Sequence, residues 1–135
     1  MAFDRIRRDK TEKLVILDSN AIMMLFEFSI DLENELTRLL GKYHIIIPKA
    51  VLEELKFLSE YGKGKKKNLA KSSLKLSKRY QIFNSKEKQA DEAVISVAKK
   101  TNGIVLTNDK ELRNKLKENS CSSIFLRSKK TLEIE

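Results

Sequence analysis

Apolar residues along this chain follow two alternating rhythms. Leu14-Val15-Ile16-Leu17, Ile45-Ile46-Ile47 and Ile104-Val105-Leu106 are unbroken runs of strand length, the pattern of strands covered on both faces. Between them apolar positions recur at helical spacing, which predicts helices over 21–28, 31–41, 48–61, 65–79 and 85–100, and another that Thr107-Asn108-Asp109 leads to about 118. Residues 81–83 and 123–126 are two further strand candidates. The punctuation agrees. Asp18 or Ser19 can cap the first helix, Pro48 can open the third, Gly62 and Gly64 break it, and Ser85 can cap the fifth. Asn102-Gly103 closes that helix, and Asn108 with Glu111 has capping-box spacing. Strands alternating with helices require an α/β domain with a mostly parallel sheet, because parallel neighbours need crossover helices. Residues 1–13 show no sustained period and read as a basic N-terminal tail, with Arg5, Arg7, Arg8, Lys10 and Lys13, ahead of one domain over 14–135.

In such sheets ligands collect at the carboxyl ends of the strands, and acidic residues stand there. Asp18 follows the first strand directly, and Asp109 lies three residues past the Ile104-Val105-Leu106 run. Two acidic pairs, Glu53-Glu54 and Asp91-Glu92, fall early in helices, where helical geometry separates the partners. Val51, Leu52, Leu55 and Leu58 set the buried direction of one helix, from which Glu53 points roughly 170° away and Glu54 roughly 90°. Ala90, Ala93, Val94, Val97 and Ala98 set it for the other, leaving Asp91 about 95° off and Glu92 about 165° off. Glu54 and Asp91 are therefore the cleft candidates. Taken singly, Asp18 and Asp109 could only stabilise helix N-termini, and Glu54 and Asp91 could be plain surface charges. Four acids, each after a different strand, point instead to a site.

Charge sharpens that reading. The 135 residues include 28 Lys and Arg against 19 Asp and Glu, a formal charge of +9. Gathering carboxylates is electrostatically unfavourable unless a cation sits among them, and the basic remainder favours a polyanion, RNA or DNA. A Lys-rich soluble surface is the plainer alternative. Lys67, Lys71, Lys75 and Lys78 share one helix face, where like charges repel; with Lys63, Lys65, Lys66 and Arg79 they form a ridge expected to guide RNA to the cleft. Other chemistries fall away. A single cysteine, Cys121, allows no intrachain disulfide and no cysteine-based zinc cluster. His44, the sole histidine, adjoins a strand and offers no histidine-based RNase chemistry. No apolar run approaches the roughly 20 residues that span a bilayer, and no signal-like segment opens the chain, so a soluble cytoplasmic protein without a membrane partner is expected. Met23, Met24, Leu25, Phe26 and Phe28 suit core packing, with a homodimer contact as the alternative.

Val15-Ile16-Leu17-Asp18-Ser19-Asn20, Ile47-Pro48-Lys49-Ala50-Val51-Leu52-Glu53-Glu54-Leu55, Ala90-Asp91-Glu92-Ala93-Val94-Ile95 and Leu106-Thr107-Asn108-Asp109-Lys110-Glu111-Leu112 resemble, in order, the successive motifs of a PIN (PilT N-terminal) domain. The resemblance implies a three-layer α/β/α sandwich with a five-stranded parallel sheet in order 3-2-1-4-5. It implies a metal-dependent endoribonuclease whose acidic cluster, Asp18, Glu54, Asp91 and Asp109, binds Mg²⁺ or Mn²⁺, with Asn20, Thr107 and Asn108 as supporting polar groups. Asp18 and Asp109 would hold the ion directly, Asp91 and Glu54 directly or through water, and products would carry 5′-phosphate and 3′-hydroxyl ends. Some members carry a further acid after the fourth, which Lys110, Arg113 and Asn114 do not supply. The segment 124–134 resembles the ending of archaeal PIN proteins related to ribosomal-RNA processing nucleases, which implies a pre-ribosomal particle as partner. A ribonuclease toxin with an antitoxin partner competes with that setting. A non-catalytic RNA-binding scaffold is a different class, against which all four acids count. A phospho-accepting receiver domain would show an acid pair after its first strand, where Asp18-Ser19-Asn20 has one acid.

Overall fold

The apolar runs become the inner strands of a sheet. In the computed structural model, which describes Ile6 and residues 11–128 and 130–135, β1 (Lys13–Leu17), β2 (Tyr43–Pro48) and β4 (Ile104–Leu106) lie side by side with β1 in the middle. Their side chains Val15, Ile16, Leu17, Ile46, Ile47, Val105 and Leu106 are fully buried, which is why these segments show no polar alternation. β3 (Gln81–Phe83) pairs with β2, and β5 (Ser123–Ser128) pairs with β4, all in parallel. With β6 (Thr131–Ile134) at the edge, the strand order is β3-β2-β1-β4-β5-β6.

Among the described residues six helices flank the sheet: α1 (Ser19–Glu27), α2 (Leu32–Leu40), α3 (Lys49–Tyr61), α4 (Lys65–Ser77), α5 (Ala90–Thr101) and α6 (Lys110–Glu118). From β1 the chain builds outward to β2 and β3, then crosses back to β4 on the other side of β1. That reversal opens a crevice at the carboxyl ends of β1 and β4, the usual ligand position in such sheets. α4 packs on both α3 and α1, and α5 lies across β1, β2 and β4.

Among the described residues the sheet has six strands where the PIN resemblance implies five. β6 (Thr131–Ile134) turns back antiparallel on β5. Only Leu132 of its four side chains is buried, so no alternation announced it. Tertiary contacts hold it instead: Arg38 donates to the Leu132 carbonyl at 2.7 Å, and the Leu132 N–H donates to Glu35 Oε1 at 2.8 Å. Two helix starts also differ. α5 begins at Ala90 behind Gln89 rather than at Ser85, and Ser85 Oγ, buried, caps nothing. α6 is capped by Asp109, whose Oδ1 accepts the Leu112 N–H at 3.2 Å. Asn108 is not the cap; its Oδ1 accepts the Leu126 N–H at 3.0 Å and ties the loop to β5.

Met23, Met24 and Leu25 enter the core while Phe26 and Phe28 stay exposed. His44 Nε2 meets Gln81 Oε1 at 3.1 Å between β2 and β3, a structural contact. Cys121 is half-buried, and burial pushes its thiol up, away from the reactive thiolate. Arg5, Arg7, Arg8 and Lys10 of the basic tail lie outside the described residues; Ile6 packs against the core and Lys13 begins β1. Among the described residues no helix is long and apolar enough to cross a membrane.

Candidate active site

Asp18 occupies the N-cap position of α1 yet does not cap it. Its carboxylate turns to β4 instead. The parallel register sets Leu17 beside Leu106, so Asp18 adjoins Thr107, whose hydroxyl donates to Asp18 Oδ2 at 2.9 Å. The side chain is buried, only 3% exposed. Burial raises its pKa from 3.8 to about 7; the Thr107 hydrogen bond opposes that rise, and the charges of Asp91 and Glu54 add to it. The helix-capping alternative for Asp18 therefore fails. A carboxylate is held here against its own desolvation.

Asp91 and Glu54 come close enough for their charges to bear on Asp18. Asp91, in the first turn of α5, is half-buried while Glu92 is exposed. On α3 both Glu53 and Glu54 reach solvent, but Glu54 Oε1 accepts a hydrogen bond from the Ser19 hydroxyl. By sequence Ser19 is only a possible cap of α1. Its adjacency to Asp18 was the one signal that it holds a site residue.

Asp109 joins the group through Thr107. The Thr107 hydroxyl oxygen accepts the Asp109 N–H at 3.1 Å while its hydrogen goes to Asp18. One Asp109 oxygen caps α6, so this residue is both a helix stabiliser and a neighbour of the cluster. Thr107 is buried and central. Asn20 and Asn108 are exposed and bond to none of the four acids; they line an adjoining groove between α1 and α4.

The donors suit a hard divalent cation, since they are carboxylates and the repulsion that Asp91 and Glu54 exert on Asp18 is what such an ion offsets. Among the described residues no three His, Cys, Asp or Glu side chains form a ready-made cage. Mg²⁺ does not need one, because it retains several waters and uses one or two carboxylates directly.

The basic ridge divides in two. Lys65 and Lys66 border the groove that also holds Asn20 and Asn108, and Lys65 Nζ pairs with Glu27 across it at 3.0 Å. Lys71, Lys75 and Lys78 border a second groove of about 510 Å³ between α3, α4 and β3, joined there by Lys56, which the sequence reading did not single out. Arg79 turns away to Glu33 at 3.1 Å. Lys63 is exposed and Lys67 half-buried.

Comparison with known proteins gives one family: residues 15–129 match the model described as a PIN like domain. Two curated relatives span nearly all of the chain. A protein of Methanocaldococcus jannaschii named ribonuclease VapC4 is 37% identical over 124 residues, covering 89% of this chain and 95% of the relative. One of Archaeoglobus fulgidus named ribonuclease VapC9 is 30% identical over 135 residues, covering 100% and 98%. Among solved structures, the PIN domain endonuclease Utp24 superposes with a TM-score of 0.77 at 23% identity, over 93% of this chain and 92% of that one. A domain of a functionally unknown M. jannaschii protein superposes at 0.65 and 22% identity, over 86% and 92%. At those identities the two structures speak for the fold.

Proposed function

The chain belongs to the PIN-like domain family, and on that footing we propose that it is a divalent-metal-dependent endoribonuclease whose acidic cluster is Asp18, Glu54, Asp91 and Asp109. The observation that carries this reading is the buried Asp18 carboxylate, within the fields of Asp91 and Glu54, at the point where the strand order reverses. The two relatives named ribonucleases support an RNA substrate. When bound, Mg²⁺ or Mn²⁺ would polarise the scissile phosphate and acidify a water for in-line attack.

The protein's own groups prepare that chemistry. Thr107 fixes the direction of Asp18 and the backbone of Asp109 with one hydroxyl. Ser19 holds Glu54 toward the cleft. Apolar packing around β1 and β4 keeps the site in a low dielectric, where charge–charge interactions are strong. Lys65 and Lys66 border the groove that Asn20 and Asn108 also line, and suit phosphates flanking the cut. Lys71, Lys75 and Lys78 from α4 and its end, with Lys56 from α3, form a second basic surface.

Cleavage of structured and unstructured RNAs should appear with Mg²⁺ or Mn²⁺ and vanish in EDTA, leaving 5′-phosphate and 3′-hydroxyl ends; cleavage that persists in EDTA defeats the metal mechanism. Thr107→Val keeps the shape but removes the hydroxyl. Losing an orienting partner of a metal ligand typically costs about 10–100-fold, so kcat should fall by that much while the melting curve stays cooperative; a variant with full activity would remove Thr107 from the mechanism. Reversing Lys71, Lys75 and Lys78 should weaken RNA binding alike for all sequences. At about 0.7 per phosphate contact on a single strand, the slope of log K against log salt should drop by roughly 2. An unchanged slope would leave that face merely solvated.

Two biological settings suit the activity: maturation of ribosomal RNA, and a toxin restrained by an antitoxin. Growth arrest on induced expression, relieved by Asp18→Asn, identifies the second.

A further inference from the structure

Between α1 and α4 runs a groove of about 430 Å³, within the range of about 300–1,000 Å³ typical of ligand sites. Its apolar lining is Met23 and Met24 from α1, Phe28 at the end of that helix, and Leu69 from α4. Its polar lining is the amides Asn20 and Asn108 together with Glu27, Lys65 and Lys66. Asn20 is two residues from Asp18, and Asn108 stands between Thr107 and Asp109, so the groove begins where the acid cluster ends. Lys65 and Lys66 mark its α4 side. From Asn20 to Met24 is one helical turn, a rise of about 5.4–6 Å, a span suited to reaching from a phosphate to its base.

We infer that this groove receives a single unstacked nucleobase of the RNA, next to the phosphate held at Asp18, and reads its edge with Asn20 and Asn108. The inference rests on the ribonuclease reading and deepens it from a substrate class to a base-selecting subsite. Extruded bases are held between apolar or aromatic side chains and hydrogen-bonded along their edges. The walls provide the first. Methionine is suited to them, being adaptable and favourable against an aromatic ring. The amides provide the second. Asn108 Oδ1 is engaged by the Leu126 N–H, so its NH₂ group is the part left to face a ligand, and it favours a base with acceptors on that edge. Lys65 is steadied by Glu27, which sets its charge where a phosphate of the same strand would pass. A protein side chain entering the groove would use the apolar walls but has no need of two amides beside the acids. A duplex does not fit this role, because its bases stay stacked.

The methyl groups of Met23 and Met24 report on the groove directly. With ¹³C-methyl methionine in the full-length chain, each of the four 5′-nucleoside monophosphates is titrated in EDTA, against ribose 5-phosphate. A base in the groove shifts the Met23 and Met24 signals through its ring current, unequally among the four nucleotides, whereas ribose 5-phosphate, lacking the base, leaves them in place. Phe28→Ala, at an exposed position, should weaken those shifts at least 5-fold in affinity.

Cleavage of a random single-stranded RNA pool gives the second readout. The native chain should favour certain bases at one position beside the cut. Phe28→Ala and Asn108→Ala should flatten that preference at least 5-fold, while Lys66→Ala raises KM and leaves the preference intact. Methyl signals unmoved by all four nucleotides, or a preference unchanged in both Phe28→Ala and Asn108→Ala, overturns the base subsite. RNA left uncut while the nucleotides still move both methyl signals overturns the nuclease reading alone.

Discussion

Asp18→Asn should abolish RNA cleavage and, in the metal-free protein at pH 8, raise the melting temperature. The first effect follows from removing the charge on the most buried carboxylate of the cluster, and a loss of about 10²–10³-fold is expected, on the scale of removing a central electrostatic group from an active site. The second follows from the direction of its pKa. Asp18 has a folded-state value of about 7 against 3.8 for the ordinary group, so ionising it in the folded chain is unfavourable. Asn avoids that. Its carbonyl can still accept the Thr107 hydroxyl, and its NH₂ gains two carboxylate neighbours.

A raised carboxyl pKa means that the folded chain binds the proton more tightly than the unfolded one. The associated stability is therefore fully present below about pH 4 and is lost progressively as pH rises to about 7. A rise from 3.8 to about 7 sets a ceiling of roughly 4 kcal/mol at about 1.4 kcal/mol per pH unit. A gain of about 2 kcal/mol for Asp18→Asn at pH 8, or roughly 6–12 °C for a domain of this size, is the expected measurement. At pH 4 the two proteins should melt alike. Added Mg²⁺ should then stabilise the native chain, and more at pH 8 than at pH 5, because ligand binding to the folded state alone raises its stability. An Asn variant no more stable than the native chain at pH 8 would mean that Asp18 is not an electrostatically unfavourable carboxylate, and the case for a cation there would lose its physical basis.

The sheet's centre was legible because β1, β2 and β4 are covered on both faces, leaving sequence runs with no polar interruption. Asp91 and Glu92 separate as the helical angles require, one half-buried and one exposed. Angles alone do not separate Glu53 from Glu54, since both reach solvent; the Ser19 hydroxyl, across a sequence gap of 35 residues, makes the difference. Long-range partners of this kind leave no local signature. The same holds for the lysine ridge. Helical spacing places its members on one face but is silent on what borders each end of the helix, and α4 abuts α1 near Lys65 and α3 near Lys75. The N-cap of α6 is Asp109 and not Asn108, despite the capping-box spacing of Asn108 and Glu111, because the Leu126 N–H takes Asn108 Oδ1 and leaves the Leu112 N–H to Asp109.

Leu132→Ala should separate stability from activity. Leu132 is the one buried side chain of β6, 1% exposed, and truncating a buried leucine typically costs about 2–5 kcal/mol. A loss near 3 kcal/mol corresponds to a drop of roughly 10–18 °C for a domain of this size. The backbone bonds of Leu132 to Arg38 and Glu35 remain, so the strand should stay docked at 25 °C while opening more often. Hydrogen exchange should show it, with protection falling first at the Leu132 amide and along β5. Cleavage at 25 °C should nonetheless stay within about 2-fold of native, because Asp18, Glu54 and Asp91 hang from β1, α3 and α5, none of which pairs with β6. Two threads run from this edge toward the site: the Thr107 N–H donates to the Ile124 carbonyl of β5 at 3.0 Å, and the Asn108 loop is tied to β5 at Leu126. If the base subsite is as inferred, Leu132→Ala should blur the base preference before it lowers the rate. A variant that loses rate and stability together would show that the outer strands support the acids themselves, and that the site extends across the whole sheet edge.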